Sequence, residues 1–406
     1  MRKSYLFLLI ILTAYSCQEK EKAMLSEGIW RAEMEVQDGH MLPFNFLLNK
    51  GELGYSMEVY NAEETVSVDD FKLKGDSITI QMPVFDGYIA GIYTENLIEG
   101  EFIKDDLDRN VPFRAVFGDS LRFRGKKPPT QNVEGIWETD FSKDTDDAYI
   151  AKGIFQQEEG KVTGTIRTTT GDYRYLEGTM QGDSLKLSTF DGAHVFLFLA
   201  KVSDSTMNGV FYSGNHFQEP FEAIRNENFE LPAEDTLTYL KEGFDKVTFS
   251  FPDTEGNYIS PEDPQFQDKV VILQIMGTWC PNCLDETKFL VDYLKNNPSD
   301  DLELIALAIE YAKTEERAMR GIERLIDRLK IPYPIVLAQY GSDNKEAANE
   351  KLPMLNHILS YPTTIFIDKQ GKVRKIHTGF NGPATGEKYL TFKKEFHDFV
   401  QELQAE

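Results

Sequence analysis

The stretch Val270-Val271-Ile272-Leu273-Gln274-Ile275-Met276-Gly277-Thr278-Trp279-Cys280-Pro281-Asn282-Cys283 constrains this chain more than any other. An apolar, β-branched run ends in a Gly-Thr-Trp turn and then Cys-x-x-Cys, with helix-forming residues beyond. That order predicts a buried central strand, a tight turn, and a helix whose first residues carry two thiols. Pro281 suits the first helical position, where its missing N–H would be unpaired in any case. Cys280 is then expected at or next to the N-cap, its sulfur facing unsatisfied backbone N–H groups and the positive end of the helix dipole. Such a setting draws a thiol pKa from about 8.5 toward roughly 3.5–7.5. Cys283, one turn on, is placed to attack a mixed disulfide formed on Cys280. The pattern reads as a dithiol redox centre, with a redox-active Cys280–Cys283 disulfide and no separate cofactor. The other reading, half a zinc site, calls for four Cys or His ligands at close spacing. His40, His194, His216, His357, His377 and His397 are scattered singly, so no metal is expected.

At 406 residues the chain has room for two to four domains, and a net charge of −24 argues against nucleic acid as a partner. Arg2 and Lys3 precede an apolar run, Tyr5 to Leu12, that is too short to span a bilayer and has the form of a signal-peptide core. Ala14 and Ser16 before Cys17 resemble a bacterial lipoprotein cleavage box, although Ala14 stands where Leu is usual. A signal peptide over 1–16, a lipid on Cys17 and a flexible polar tether over 17–26 are expected, holding the protein on a membrane of the bacterial envelope. The alternative is an ordinary secreted protein cut nearby with a spare thiol. With Cys17 lipidated and Cys280 paired with Cys283, no cysteine is left for a structural disulfide.

An internal repeat follows. Glu27-Gly28-Ile29-Trp30 recurs as Glu134-Gly135-Ile136-Trp137, Gly75-Asp76-Ser77 as Gly182-Asp183-Ser184, Phe85-Asp86-Gly87 as Phe190-Asp191-Gly192, and Pro112-Phe113-x-Ala115 as Pro220-Phe221-x-Ala223. The anchors predict two duplicated domains, 27–125 and 133–227. Short alternating runs such as Ser77-Ile78-Thr79-Ile80, separated by Gly, Asp and Asn turns, predict small all-β barrels or sandwiches. Trp30 and Trp137 read as core plugs or as a ligand platform. Gly125 to Thr130 reads as a short stiff linker.

From about 236 the pattern changes. A short helix over Asp235–Phe244 and a hairpin from Val247 are expected. Beyond Cys283 come a helix to about Leu294, a strand Leu302–Ile309 and an amphipathic helix Thr314–Lys330. A strand Pro334–Ala338, a helix Asp343–Leu355, a strand after Tyr361-Pro362, a return strand Val373–Thr378 and a closing helix Glu387–Leu403 complete the chain. Strands alternating with helices predict a mostly parallel sheet with helices on both faces. The fold class is therefore multidomain: two tandem all-β domains followed by an α/β domain over 236–406.

Trp279-Cys280-Pro281-Asn282-Cys283, Glu286, and Tyr361-Pro362-Thr363-Thr364 with Phe366, Asp368 and Gly371 together resemble the thioredoxin superfamily, specifically the TlpA/ResA-like thiol-disulfide oxidoreductases of bacterial envelopes. The resemblance implies a thioredoxin-like fold over 236–406, a cis peptide bond before Pro362, and substrate contacts from Trp279, Pro281, Asn282, Tyr361 and Pro362. Tyr361 would offer its backbone to an extended substrate. Glu286 either relays a proton to the dithiol or merely complements the helix dipole. Gln274 stands where thioredoxin has a buried Asp, so it cannot titrate.

The expected function is a membrane-tethered dithiol-disulfide exchanger, most simply a reductase of protein or thiol disulfides recharged by an upstream donor in the envelope. Two rivals stand. A peroxiredoxin-like peroxidase would need Pro at 273 and Thr at 277, where the chain has Leu273 and Gly277. An envelope binding or assembly lipoprotein would do its main work through the tandem β domains.

Overall fold

The computed structural model describes residues 24–125 and 127–406. The signal segment 1–16, Cys17 and most of the tether lie outside the described residues. The tether expectation is corrected at its end: Leu25 is buried and its N–H bonds the Tyr55 hydroxyl at 3.1 Å. An apolar side chain there finds a core to enter, so the chain joins the first sheet before residue 27.

Residues 28–117 form one antiparallel nine-stranded sheet. Residues 135–225 form a second, in which Tyr149–Glu158 pairs with Lys161–Thr168 and closes the ring into a barrel. The matched tryptophans hold matched places. Each is fully buried, and each indole N–H bonds the carbonyl four residues back, Trp30 to Ser26 at 3.0 Å and Trp137 to Val133 at 2.9 Å. Both are core, with the polar tip satisfied as burial demands. The stretch after Gly125 is not free-standing: Thr130 donates to the Gly182 carbonyl at 2.8 Å.

The C-terminal domain is α/β. Its strands are β1 (Val270–Met276), β2 (Leu302–Ile309), β3 (Ile335–Gln339), β4 (Thr363–Ile367) and β5 (Val373–Thr378). Its helices are α1 (Pro281–Asn296), α2 (Glu315–Leu329), α3 (Lys345–Lys351) and α4 (Glu387–Ala405). All seven residues of β1 are buried, as a run apolar at every position but Gln274 favours, and β1 takes the centre of the order β3-β2-β1-β4-β5. Phe289 of α1 packs edge-on against Phe392 and Phe396 of α4, which joins the redox helix to the closing helix.

Three sequence expectations are corrected. The sheet is mixed: β1 runs parallel to β2 and β2 to β3, but β4 and β5 are antiparallel to their neighbours. The helix expected over Asp343–Leu355 is only Lys345–Lys351, because Pro353 disfavours helical backbone at Leu352. The stretch Asp235–Phe244 has one 3₁₀ turn, Glu234–Thr236, and Leu240 instead bridges Leu355.

Candidate active site

The turn after β1 delivers Cys280 to the N-cap of α1, with Pro281 at the first helical positions. The Cys283 N–H points at the Cys280 sulfur from 3.3 Å, satisfying one orphan donor of the helix start. Both cysteines are free thiols, their sulfurs 2.6 Å apart. Cys280 also lies 3.5 Å from the Tyr361 carbonyl oxygen, and the Tyr361–Pro362 bond is cis. Thus two segments far apart in sequence meet at one sulfur. Cys280 retains 7% exposure and Cys283 none. Burial pushes the Cys283 thiol pKa well up, and its hydrogen bond to Cys280 adds to the shift.

Trp279 closes one side. Its indole N–H donates to the Ile309 carbonyl at 2.9 Å, and its ring meets Tyr311 and, edge-on, Tyr361. Pro281 is buried and Asn282 half-buried at the same mouth.

Glu286 comes from α1 and is 1% exposed. Gln274 on β1 and Thr364 on β4 are register partners on adjacent strands. Gln274 donates to one Glu286 oxygen at 2.8 Å and Thr364 to the other at 2.7 Å. Burial pushes the Glu286 pKa up, against the lowering pull of those two bonds and of His377. A helix-dipole role alone does not account for a carboxyl held in this way at the sheet centre. The non-titrating Gln274 is its clamp.

Sequence reasoning missed two groups. Glu310 follows β2 and is buried; it accepts from the Thr278 N–H at 2.7 Å and meets the Thr278 hydroxyl at 2.8 Å, so it fixes the turn that carries Trp279 and Cys280. Burial pushes its pKa up to about 8. Arg174 of the second sheet reaches the redox helix, donating to the Pro281 carbonyl at 3.1 Å and to Asp285. It also pairs with Glu64 of the first sheet and, at 3.2 Å, with Asp191 of the second. A charge closing an apolar strand was the one cue for Glu310. Nothing local marks Arg174.

The turn before Arg174 lies against the redox site. Asn282 donates to the Asp172 carbonyl at 3.3 Å, Ser360 to the Thr170 carbonyl at 3.3 Å, and the Gly382 N–H to the Asp172 carboxylate at 2.6 Å. Two glycines make the approach possible. A Cβ at Gly171 would sit 2.3 Å from the Asn282 amide nitrogen, and one at Gly379 would sit 2.1 Å from the Thr170 carbonyl oxygen. Gly379 also has φ +81°.

Among the described residues no group of His, Cys, Asp and Glu is placed to hold a metal ion, and no helix is long and apolar enough to cross a membrane.

Residues 245–376 match the AhpC/TSA family. The chain is similar to the thioredoxin-like protein YneN of Bacillus subtilis, 26% identical over 140 residues that make up 34% of this chain and 73% of that protein. It is similar to the thiol-disulfide oxidoreductase ResA of the same organism, again 26% identical over 140 residues, 34% of this chain and 69% of the other. A solved thiol-disulfide oxidoreductase from Bacteroides fragilis is 19% identical, spans 37% of this chain and 99% of its own, and has a TM-score of 0.27.

Proposed function

We propose, on the premise that this is a TlpA/ResA-like protein of the thioredoxin superfamily and a thiol-disulfide oxidoreductase, that the chain is a membrane-tethered disulfide reductase working through Cys280 and Cys283. The observation that carries the reading is the Cys280 sulfur, set at a helix N-cap and 3.5 Å from the Tyr361 carbonyl beside a cis proline.

The Cys280 thiolate attacks one sulfur of the substrate disulfide. That bond breaks, the first substrate thiol leaves, and a mixed disulfide forms on Cys280. Cys283 gives up its proton and attacks the Cys280 sulfur, releasing the second substrate thiol and leaving a Cys280–Cys283 disulfide. Two electrons pass from the dithiol to the substrate, and an upstream dithiol in the envelope returns them. Burial holds the Cys283 proton tightly, so its release calls for an internal base. Glu286 is the base we assign, since it lies buried on α1 one turn after Cys283, where i and i+3 side chains are neighbours. Trp279, Pro281, Asn282, Tyr361 and Pro362 frame the substrate, whose extended backbone pairs at Tyr361.

Cys280→Ser should abolish reduction of a peptide disulfide, and Cys283→Ser should accumulate a substrate adduct on Cys280 visible by mass spectrometry. Wild-type turnover by Cys280→Ser would overturn the mechanism. The tether through a lipid on Cys17 rests on the leader pattern. Radiolabelled fatty acid should enter the wild type and not Cys17→Ala.

The AhpC/TSA match favours a second reading as a peroxidase, which lacks its frame at Leu273 and Gly277. Fast peroxide consumption that survives Cys283→Ser would establish it. The contacts of the second sheet with the redox helix favour a share of the function for the β domains. Were they the main functional part, deletion of 27–226 would abolish function in cells and Cys280→Ser would not.

A further inference from the structure

The second β sheet does more than touch the redox domain. Between them lies a cleft of about 410 Å³. Tyr149, Tyr173, His194 and Phe196 line it from the barrel, and Asn282 and Tyr361 from the redox domain. Tyr361 is the residue whose carbonyl meets the Cys280 sulfur, so the cleft is one residue removed from the reacting atom.

The barrel wall is built to present ring surface. The Tyr149 and Tyr173 hydroxyls hydrogen-bond each other at 2.6 Å, and Tyr149 donates to Glu219 at 2.7 Å, so both polar tips are engaged. Tyr149 stacks on Phe141 with an interplanar angle of 2°. His194 stacks on Phe196 with centroids 4.1 Å apart and is held by Asp191 at 3.1 Å. The one carboxylate in the lining, Asp172, is taken up by the N–H groups of Gly382 and Arg174. The cleft therefore offers aromatic faces edged by threonine hydroxyls, with no Lys or Arg in its lining. An acidic side chain would lose water there beside Asp172 with no Lys or Arg to pair with, whereas an aromatic one would find offset and edge-on neighbours.

We propose that this cleft is a specificity pocket contributed by the second β sheet, which selects peptide disulfides carrying an aromatic side chain next to the reacting cysteine. The proposal rests on the thiol-disulfide reading above and adds the substrate class. The β barrel becomes part of the substrate site: the redox domain supplies the sulfurs and the Tyr361 backbone, and the barrel supplies the neighbouring side-chain recess. The three cross-seam hydrogen bonds at Thr170 and Asp172 hold the two walls at a fixed separation.

The test uses the full chain, reduced, and two peptides of one sequence, each a mixed disulfide with glutathione, with Phe or Asp beside the cysteine. Released peptide thiol is followed to obtain kcat/KM. The Phe peptide should be favoured at least about tenfold, the discrimination a well-formed apolar pocket supplies. Phe196→Ala, which opens the floor, should bring the ratio of the two kcat/KM values toward one. Since Phe196 also packs in the barrel, Thr169→Trp is the second variant: it fills the cleft from a half-buried turn in the lining and should bring the ratio within about twofold of one. A wild-type ratio already within twofold, or a full preference kept by Thr169→Trp, would overturn the pocket. If the wild type reduces neither peptide, the thiol-disulfide reading itself fails and the pocket with it; equal reduction of both sinks the pocket alone.

Discussion

Glu310 and Glu286 flank the redox turn from two directions, and both are carboxyls in dry surroundings. Glu310 is pushed up to about 8, far above the roughly 4.3 of an unfolded chain. Across that window the folded state binds a proton the unfolded state has released, so stability falls as pH rises from about 4.3 to 8. Glu310→Gln removes that dependence. Its urea midpoint, measured against wild type at pH 5, 7 and 9, should gain steadily with pH, and a flat or narrowing difference would refute the assignment. Glu286→Gln keeps an acceptor for Gln274 but loses the titrating site. Turnover should fall by roughly 10²-fold, and the pH profile of kcat/KM should lose one limb. The thiols and Pro281 are legible in the sequence because their chemistry lies in short local spacing, whereas Tyr361 and Pro362 are legible only through the family resemblance. Glu310 and Arg174 are not, because each gains its role from a neighbour that only the folded chain supplies.

At the scale of elements, hydrophobic pattern carried β1 and α1 well, since a wholly buried strand and a Pro-started helix leave strong local marks. Strand direction left none: nothing within Thr363–Ile367 states that it enters the sheet antiparallel to β1. The amphipathic α2 was legible with its cap. Thr314 accepts from the Arg317 N–H at 3.3 Å, and Arg317, Arg324 and Arg328 then meet Asp106, Asp86 and Asp69 of the first sheet. Thr314→Ala should cost about 1 kcal/mol by urea unfolding, and exchange of the amides in the first turn of α2 should quicken. An unchanged midpoint would show that the tertiary ion pairs alone hold that end.

At the scale of the whole molecule, Arg174 ties three bodies together, with Glu64, Asp191 and Asp285 each from a different one. A buried guanidinium shared among carboxylates costs much to remove, because the acids left behind have no counter-charge. Arg174→Met should destabilise by about 3–5 kcal/mol and split a single calorimetric transition into separate ones for the sheets and the redox domain. One cooperative transition at the wild-type temperature would sink this prediction.

The seam between barrel and thiols is kept narrow by two bare α-carbons, at Gly171 and Gly379. A methyl group at Gly379 would work as a wedge against the Thr170 backbone, whereas one at Gly171 would push on the Asn282 amide, a side-chain tip that can swing aside. Gly379, remote along the chain from Cys280, should therefore tolerate mutation as poorly as the sulfurs do, and Gly171 should be less severely affected. In a saturation screen scored for turnover of peptide disulfides, Gly379 would stand out as a position that accepts nothing larger than hydrogen.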